Sequence, residues 1–270
     1  MKKYICLLAA LGISVWGLAG CSRGYEYDDA DLYTPGDGSA DPTLVRSIEV
    51  DWLGGSVTVK LYDGQQLQFS DNSPYPSEDN LLHSYLDGDT LNIRFCKSEP
   101  LQLSAPDPKD LEVLIPRSAI EHMQKISIDT EAAEVFVNDV QVEELEIHTK
   151  SGGVTVDGAA RQVDIETETG DIALSGRFVV VETESRSGTL TTICTACPQR
   201  FTGESSSGDF QITLPADSGF SLEYALSRGE MISDFDGMKA DGDDGLYRVG
   251  DGSCKLSFET QKGNLYLSKR

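Results

Sequence analysis

The residue types that carry chemistry are sparse in this chain. Cys194-Thr-Ala-Cys197 has the spacing of a redox pair, while Cys96 and Cys254 stand far from it. A low-pKa thiol needs a helix N-terminus or a basic neighbour, and no βαβ pattern surrounds this pair. A zinc site would need a second ligand pair at good spacing, which is absent. The four thiols allow three complete disulfide pairings, with a Cys194–Cys197 bridge as a candidate, and inert thiols remain the alternative. Asp234, Asp236, Asp241, Asp243, Asp244 and Asp251 lie among glycines in the manner of a calcium loop. Yet Asp241-Gly-Asp243-Asp244-Gly245 lacks the alternate acids and closing glutamate of an EF-hand, so it reads as a solvated loop. Ser205, Ser206 and Ser207 have no sequence-evident base and suit a turn. His83, His122 and His148 are widely scattered. No nucleophile elbow, P-loop or zinc-protease motif is present, so no catalytic residue and no cofactor is expected.

The 270 residues carry 45 acidic and 22 basic side chains, a net charge of −23. Such a chain repels nucleic acid, and it has no basic stripe to offset that. An apolar share of 39% with 8% aromatics supplies a core, so the charge does not imply global disorder. The length suits one large β domain or two small ones.

The N-terminus reads as an address. Lys2 and Lys3 precede an almost wholly apolar run from Ile5 to Leu18. The run is shorter than the ~20 residues of a membrane-crossing helix and fits a secretory signal. Its ending, Leu18-Ala19-Gly20-Cys21, resembles the lipobox of bacterial lipoproteins. That resemblance implies cleavage after residue 20 and acylation of Cys21, hence a membrane partner through a lipid anchor. Loss of Lys2 and Lys3 would take the charge from −23 to −25. Residues 21–43 follow, acidic and rich in Gly and Pro, and read as a flexible tether. Acidic residues directly after a lipidated cysteine direct surface export in some bacteria, but here they begin five residues later.

The remainder, 44–270, reads as a single domain built on a repeat. Seven, five and three residues before Gly152 stand Leu145, Ile147 and Thr149; two and four after it stand Val154 and Val156. The same frame fits Gly170, Gly188, Gly208, Gly229 and Gly263, and earlier Ala133 and Gly55. From Gly152 onward the intervals are 18, 18, 20, 21 and 34 residues. Each unit is strand, tight corner, strand, with period-two alternation on both arms. The corner glycine is expected to supply a positive φ. One unit cannot bury its own inner face, so the units must stack. Corners of Ser-Gly, Thr-Gly, Arg-Gly or Lys-Gly argue against two-residue hairpins, which favour Asn-Gly or Asp-Gly. The expected fold is therefore all-β, a parallel β-helix or β-solenoid with coils of about 18–21 residues. Residues 44–110 hold an N-terminal coil and cap, and 111–270 the repeat coils. The cap is an antiparallel hairpin of Leu82–Leu86 and Leu91–Phe95 around Asp87-Gly-Asp-Thr90.

Stacking in register gives the acids a pattern. Four residues before each corner lie Asp129, His148, Glu166, Glu184 and Glu204. Two before lie Glu131, Lys150, Glu168 and Arg186, which alternate in sign and can pair. Glu166, Glu184 and Glu204 in succession read as a solvated acidic face, with a divalent-cation or basic-ligand strip as the sharper alternative.

The phrases Thr149–Val156, Thr167–Leu174, Ser205–Ile212 and Thr260–Leu267, with Leu111–Pro116 and Ile212–Pro215, resemble a bacterial exported β-helix family named putative adhesin. That resemblance covers about Ile48 to Leu267. It implies a right-handed β-helix of unknown function and transfers no catalytic residues. The expectation is a non-enzymatic, lipid-anchored envelope protein, located at the outer membrane and binding or scaffolding an envelope protein or glycan ligand. A polysaccharide-lyase-like β-helix is the alternative; it would need a metal cluster and a basic catalyst on longer loops than these coils provide. An envelope signalling accessory is a third possibility.

Overall fold

A computed structural model describes residues 25–99, 107–238 and 243–270. Residues 1–20, Cys21 and Asp241 lie outside them. The strands are β1 (Thr34–Pro35), β2 (Gly38–Ala40), β3 (Ser47–Tyr62), β4 (Leu67–Asp71), β5 (His83–Asp87), β6 (Thr90–Arg94), β7 (Lys109–Pro116), β8 (Lys125–Ser151) and β9 (Val154–Thr169). They continue as β10 (Ile172–Ser187), β11 (Leu190–Cys194), β12 (Arg200–Ser207), β13 (Phe210–Leu214), β14 (Phe220–Leu226), β15 (Met231–Ser233), β16 (Asp244–Val249), β17 (Cys254–Thr260) and β18 (Leu265–Lys269). Two short 3-10 turns, Ala30–Leu32 and Arg117–His122, are the described helical segments. The chain is nearly all β, with a long and largely parallel sheet, as the repeat requires.

Strands run from corner to corner. β9 begins after Gly152-Gly153 and ends before Gly170; β10 begins after Gly170-Asp171 and ends before Gly188. Each long strand thus carries the second arm of one unit and the first arm of the next. β9 and β10 pair in parallel from Val154↔Ile172 to Thr169↔Ser187, a shift of one repeat. Val154, Val156, Val163 and Ile165 point inward and are buried, as period two dictates.

The corners obey a stricter rule than the expected one. Gly152, Gly188 and Gly263 do have positive φ (143°, 137° and 152°), but Gly170, Gly208 and Gly229 do not. All six share a close approach. A Cβ on Gly170 would sit 2.2 Å from the Gly152 carbonyl oxygen, and one on Gly208 would sit 1.8 Å from that of Gly188. The corner excludes a side chain because the coil beneath already occupies its space.

The coils do not stack in chain order at the ends. β12 pairs in parallel with β17, and β17 pairs on its other side with β14. β13, β18 and β15 repeat this order on the second arm. The final coil therefore lies between two coils that precede it. Side-chain volume explains the choice. Five residues before the corners, the inward column reads Ile147, Ile165, Thr183, Gly203, Phe258, Tyr224 in space. The column narrows to Gly203 and then widens to Phe258, whose ring would lie 2.8 Å from a Cβ on Gly203. Phe201 and Phe210 close on Phe258 with ring centroids at 5.1 and 5.2 Å.

The N-terminal end mirrors this arrangement. β3 lies between β8 on one side and the β6–β7 coil on the other. The hairpin expected at Leu82–Phe95 is β5–β6, and β4 covers β7, both antiparallel. At the far end β16 covers β14, again antiparallel. The segment read as a flexible tether is instead built into the fold from Tyr25 onward. β1 pairs with β5, β2 with β4, and the Tyr25 hydroxyl donates to the Asp51 carbonyl at 3.0 Å. Its aromatic residues supply the reason: Tyr25 meets Tyr27 edge to face, Tyr27 packs at a tilt against Tyr33, and Arg94 lies over the last two rings. A buried ion pair, Lys109 Nζ to Asp71 Oδ2 at 2.5 Å, joins β7 to β4 beneath the rings of Trp52 and Phe95. The Trp52 indole donates to the Lys109 carbonyl at 2.9 Å.

Gly170→Ala is expected to destabilise the fold by about 1–3 kcal/mol through overpacking against the Gly152 carbonyl. Thr189→Ala, next to the corner of the following coil at Gly188, should change stability by less than about 0.5 kcal/mol. Urea denaturation of the two variants checks the corner assignment, and equal effects would contradict it.

Candidate functional site

The outer face of the first-arm sheet gathers the chain's acids. Strand register places Glu166 beside Glu184, Glu184 beside Glu204, and Glu204 beside Glu259. These four exposed glutamates form an unbroken row across β9, β10, β12 and β17. Glu166, Glu184 and Glu204 lie together as the sequence pattern implied. Glu259 extends the row because the last coil is inserted beside β12. The row continues in the other direction through His148, Asp129 and Asp51 to Arg94. A second row two residues earlier holds Glu146, Asp164 and Glu182.

Basic side chains neutralise one end of this face. Lys125 pairs with Glu144 at 2.9 Å and also with Glu146. His148 Nδ1 meets Asp129 Oδ1 at 3.1 Å, and Arg200 meets Glu182 at 2.8 Å. The flanking row pairs as expected, Lys150 with Glu131 and Arg186 with Glu168. Among the described residues no salt bridge reaches Glu166, Glu184, Glu204 or Glu259. Their charges therefore repel along neighbouring strands.

The titration of this face records the crowding. Burial, and then Glu184 and Glu259, push the Glu204 carboxyl upward. Burial followed by Glu166 does the same to Asp164. Asp51 is pushed up to about 6, mainly by burial, with Asp129 and Glu131 adding to it and Arg94 opposing. His148 is also raised, first by its hydrogen bond to Asp129.

The remaining candidates do not join this face. Asp243 and Asp244 are exposed at the start of β16, on the terminal coil, and Asp241 is outside the described residues. Among the described residues no three ligating side chains are grouped to hold a metal. Ser205 points inward rather than toward solvent, below Thr167 and Ser185, in a buried hydroxyl column that also contains Thr130 bonded to Thr149 at 2.8 Å. No disulfide joins Cys194, Cys197 or Cys254 among the described residues. Cys194 is buried and its thiol is pushed up to about 12 by that burial. Cys197 is not bridged to Cys194, its neighbour in the Cys-x-x-Cys spacing; burial, and then the nearby Cys254 thiol, push its thiol upward. The spacing misleads because Cys194 sits in a second corner, stacked on Gly176, while Cys197 has left that corner for the next coil.

Sequence reasoning missed Asp51, Glu146, Asp164, Glu182 and Glu259. Their signal was present: Asp51 and Glu259 stand four before Gly55 and Gly263, and the other three stand six before their corners.

A charged face on a stacked β-coil body defines a β-solenoid-like protein. The chain belongs to the Toastrack family, DUF4097, a bacterial domain of unknown function, which matches residues 110–267. Several solved structures show similarity, among them the following three. A putative adhesin from Bacteroides fragilis NCTC 9343 is 14% identical, with a TM-score of 0.47, 86% of this chain and 95% of that one being covered. A putative adhesin from Parabacteroides merdae ATCC 43184 is 9% identical, with a TM-score of 0.44 and coverage of 88% and 96%. A putative cell adhesion protein from Clostridium sporogenes ATCC 15579 is 11% identical, with a TM-score of 0.39 and coverage of 88% and 100%. No curated protein matches the chain. Among the described residues no helix is long and apolar enough to cross a membrane.

The raised groups fix an expected pH dependence. Asp51, Asp164, Glu204 and His148 all have folded pKa values above their unfolded ones, so each holds its proton more tightly when folded. That stability is fully present below the unfolded pKa and is lost as pH rises through the folded one. Asp51 therefore withdraws on the order of 3 kcal/mol as pH rises from about 4 through about 6, while His83, whose pKa is lowered by burial, acts in the opposite sense. Thermal melts of the wild type and Asp51→Asn check this. The stability gained by the variant should grow as pH rises through that window, and a difference between the two that is independent of pH would contradict the assignment.

Proposed function

We propose that the protein is a non-enzymatic, lipid-anchored component of the bacterial outer membrane that presents its acidic sheet to a cationic partner in the envelope. The partner is an envelope protein segment or an amine-bearing glycan. The observation that carries this reading is the row Glu166–Glu184–Glu204–Glu259: four exposed carboxylates on a parallel ladder, none of them in a salt bridge among the described residues. Like charges side by side cost stability, and a cationic partner would offset that cost. The names of the similar adhesin structures are consistent with an envelope location. The open cavity of about 380 Å³ at the N-terminal strap, bordered by Asp37, Gln66, Phe69 and Glu112, has no Lys or Arg in its lining to act as the base of a polysaccharide lyase, which supports a binding role.

The anchor and the face are tested separately. Cys21→Ser should abolish palmitate labelling and release the protein from membranes; labelling that persists would contradict the anchor. The combined variant Glu166→Gln, Glu184→Gln, Glu204→Gln and Glu259→Gln should melt at or above the wild-type temperature. It should also lose in-cell photo-crosslinks from a probe placed on this face. Retained crosslinks would contradict the binding surface. Release of unsaturated sugars from acidic polysaccharides by the wild type would establish the lyase instead.

A further inference from the structure

The three thiols at one end of the repeat lie where the chain departs from sequential stacking. Cys197 follows β11 and precedes β12, and Cys254 opens β17, the coil that inserts between two earlier ones. Backbone bonds hold the two segments side by side: the Lys255 amide donates to the Gln199 carbonyl at 2.9 Å, and the Cys254 amide donates to the Gly219 carbonyl at 3.1 Å. Cys197 and Cys254 pack into the same apolar core, Cys197 keeping partial exposure while Cys254 is buried, and the nearby Cys254 thiol adds to burial in pushing the Cys197 thiol upward.

We propose that Cys197 and Cys254 form a disulfide that staples the inserted final coil to the coil it covers. The step is thiol–disulfide exchange with a disulfide oxidant, of the small-molecule or protein kind that an exported chain meets. The Cys197 thiolate attacks one sulfur of the oxidant, forming a mixed disulfide and expelling one oxidant thiolate. The Cys254 thiolate then attacks the Cys197 sulfur, closing the protein disulfide and expelling the second oxidant thiolate. Two electrons pass to the oxidant, which is reduced to two thiols by taking up the two protons that the cysteines lose. Burial and the adjoining thiol hold the Cys197 pKa above its ordinary range in the folded chain, so the exchange belongs to the docking of the last coil, before the thiolate becomes scarce. The bond encloses the whole stretch 198–253, including β12 to β16, and a long loop of this kind gains most from cross-linking.

Full-length protein is refolded with oxidised and reduced glutathione, its thiols are alkylated, and it is digested without reduction for mass spectrometry. The expected product is one linked peptide pair containing Cys197 and Cys254, lighter by two hydrogens, with the melting temperature raised by on the order of 5 °C over the reduced protein. Cys194→Ser should retain both the link and the shift, and Cys254→Ser should lose both. A Cys194–Cys197 link would overturn the proposal, as would alkylation of both Cys197 and Cys254 after refolding in the oxidising buffer. The wild-type peptide map decides the pairing even if a variant folds poorly.

Discussion

The structure depends on one steric constraint: at each corner a backbone carbonyl of one coil lies against the Cα of the next. From Gly152, which lies over the Ala133 carbonyl, through Gly170, Gly188, Gly208, Gly263 and Gly229, the corner glycines leave no room for a Cβ above the carbonyl below. Successive coils can therefore lock in one register alone. A slip of a single residue would turn every inward Val and Ile to the surface and every Glu to the core. Register in turn fixes the columns. The same lock that buries Ile147 over Ile165 aligns Glu166, Glu184, Glu204 and Glu259 on the opposite face. The acidic face is thus a product of the packing rule, and its electrostatic cost is carried by the buried columns behind it.

The second constraint is the ends. A stack of parallel coils exposes unpaired strand groups at both terminal coils, an invitation to association. This chain tucks its first coil (β3) and its last coil (β17–β18) one layer inward. Intermediate segments, with antiparallel strands against them, form the outer layer. At the N-terminal end the cover is reinforced by the tyrosines of the strap and by the Lys109–Asp71 pair. Removing either partner of that pair would leave a charge in an aromatic enclosure.

Much of this was legible in the sequence, because the repeat states itself in residue types. Period-two alternation around Gly152 and Gly170 gave the arms, the inward faces and the glutamate row, and Asp87-Gly-Asp-Thr90 marked the capping hairpin. The order of the coils was not legible. Every unit offers the same alternating edge, so β12 could pair with β14 as readily as with β17 by pattern alone. The decision lies in volumes, Gly203 against Phe258, which act only across space. The one local hint was the 34-residue interval before Gly263, long enough to step over a coil and return. The strap was misread for a related reason: its acids signal solvent, while Tyr25, Tyr27 and Tyr33 find their partners far along the chain. Likewise the Cys-x-x-Cys spacing describes neighbours along the chain, whereas the backbone brings the segment of Cys197 beside Cys254 of the inserted coil.

The central claim is the inserted final coil, since it sets the length of the acidic row and the neighbours of the thiols. Amide-proton contacts between strands, measured by NMR on deuterated protein, test it most directly. Cross-peaks linking the Glu204 region to the Glu259 region, and the Glu259 region to the Ala225 region, are expected, with none between those of Glu204 and Ala225. Direct cross-peaks between the Glu204 and Ala225 regions would show coils stacked in chain order and would contradict the account.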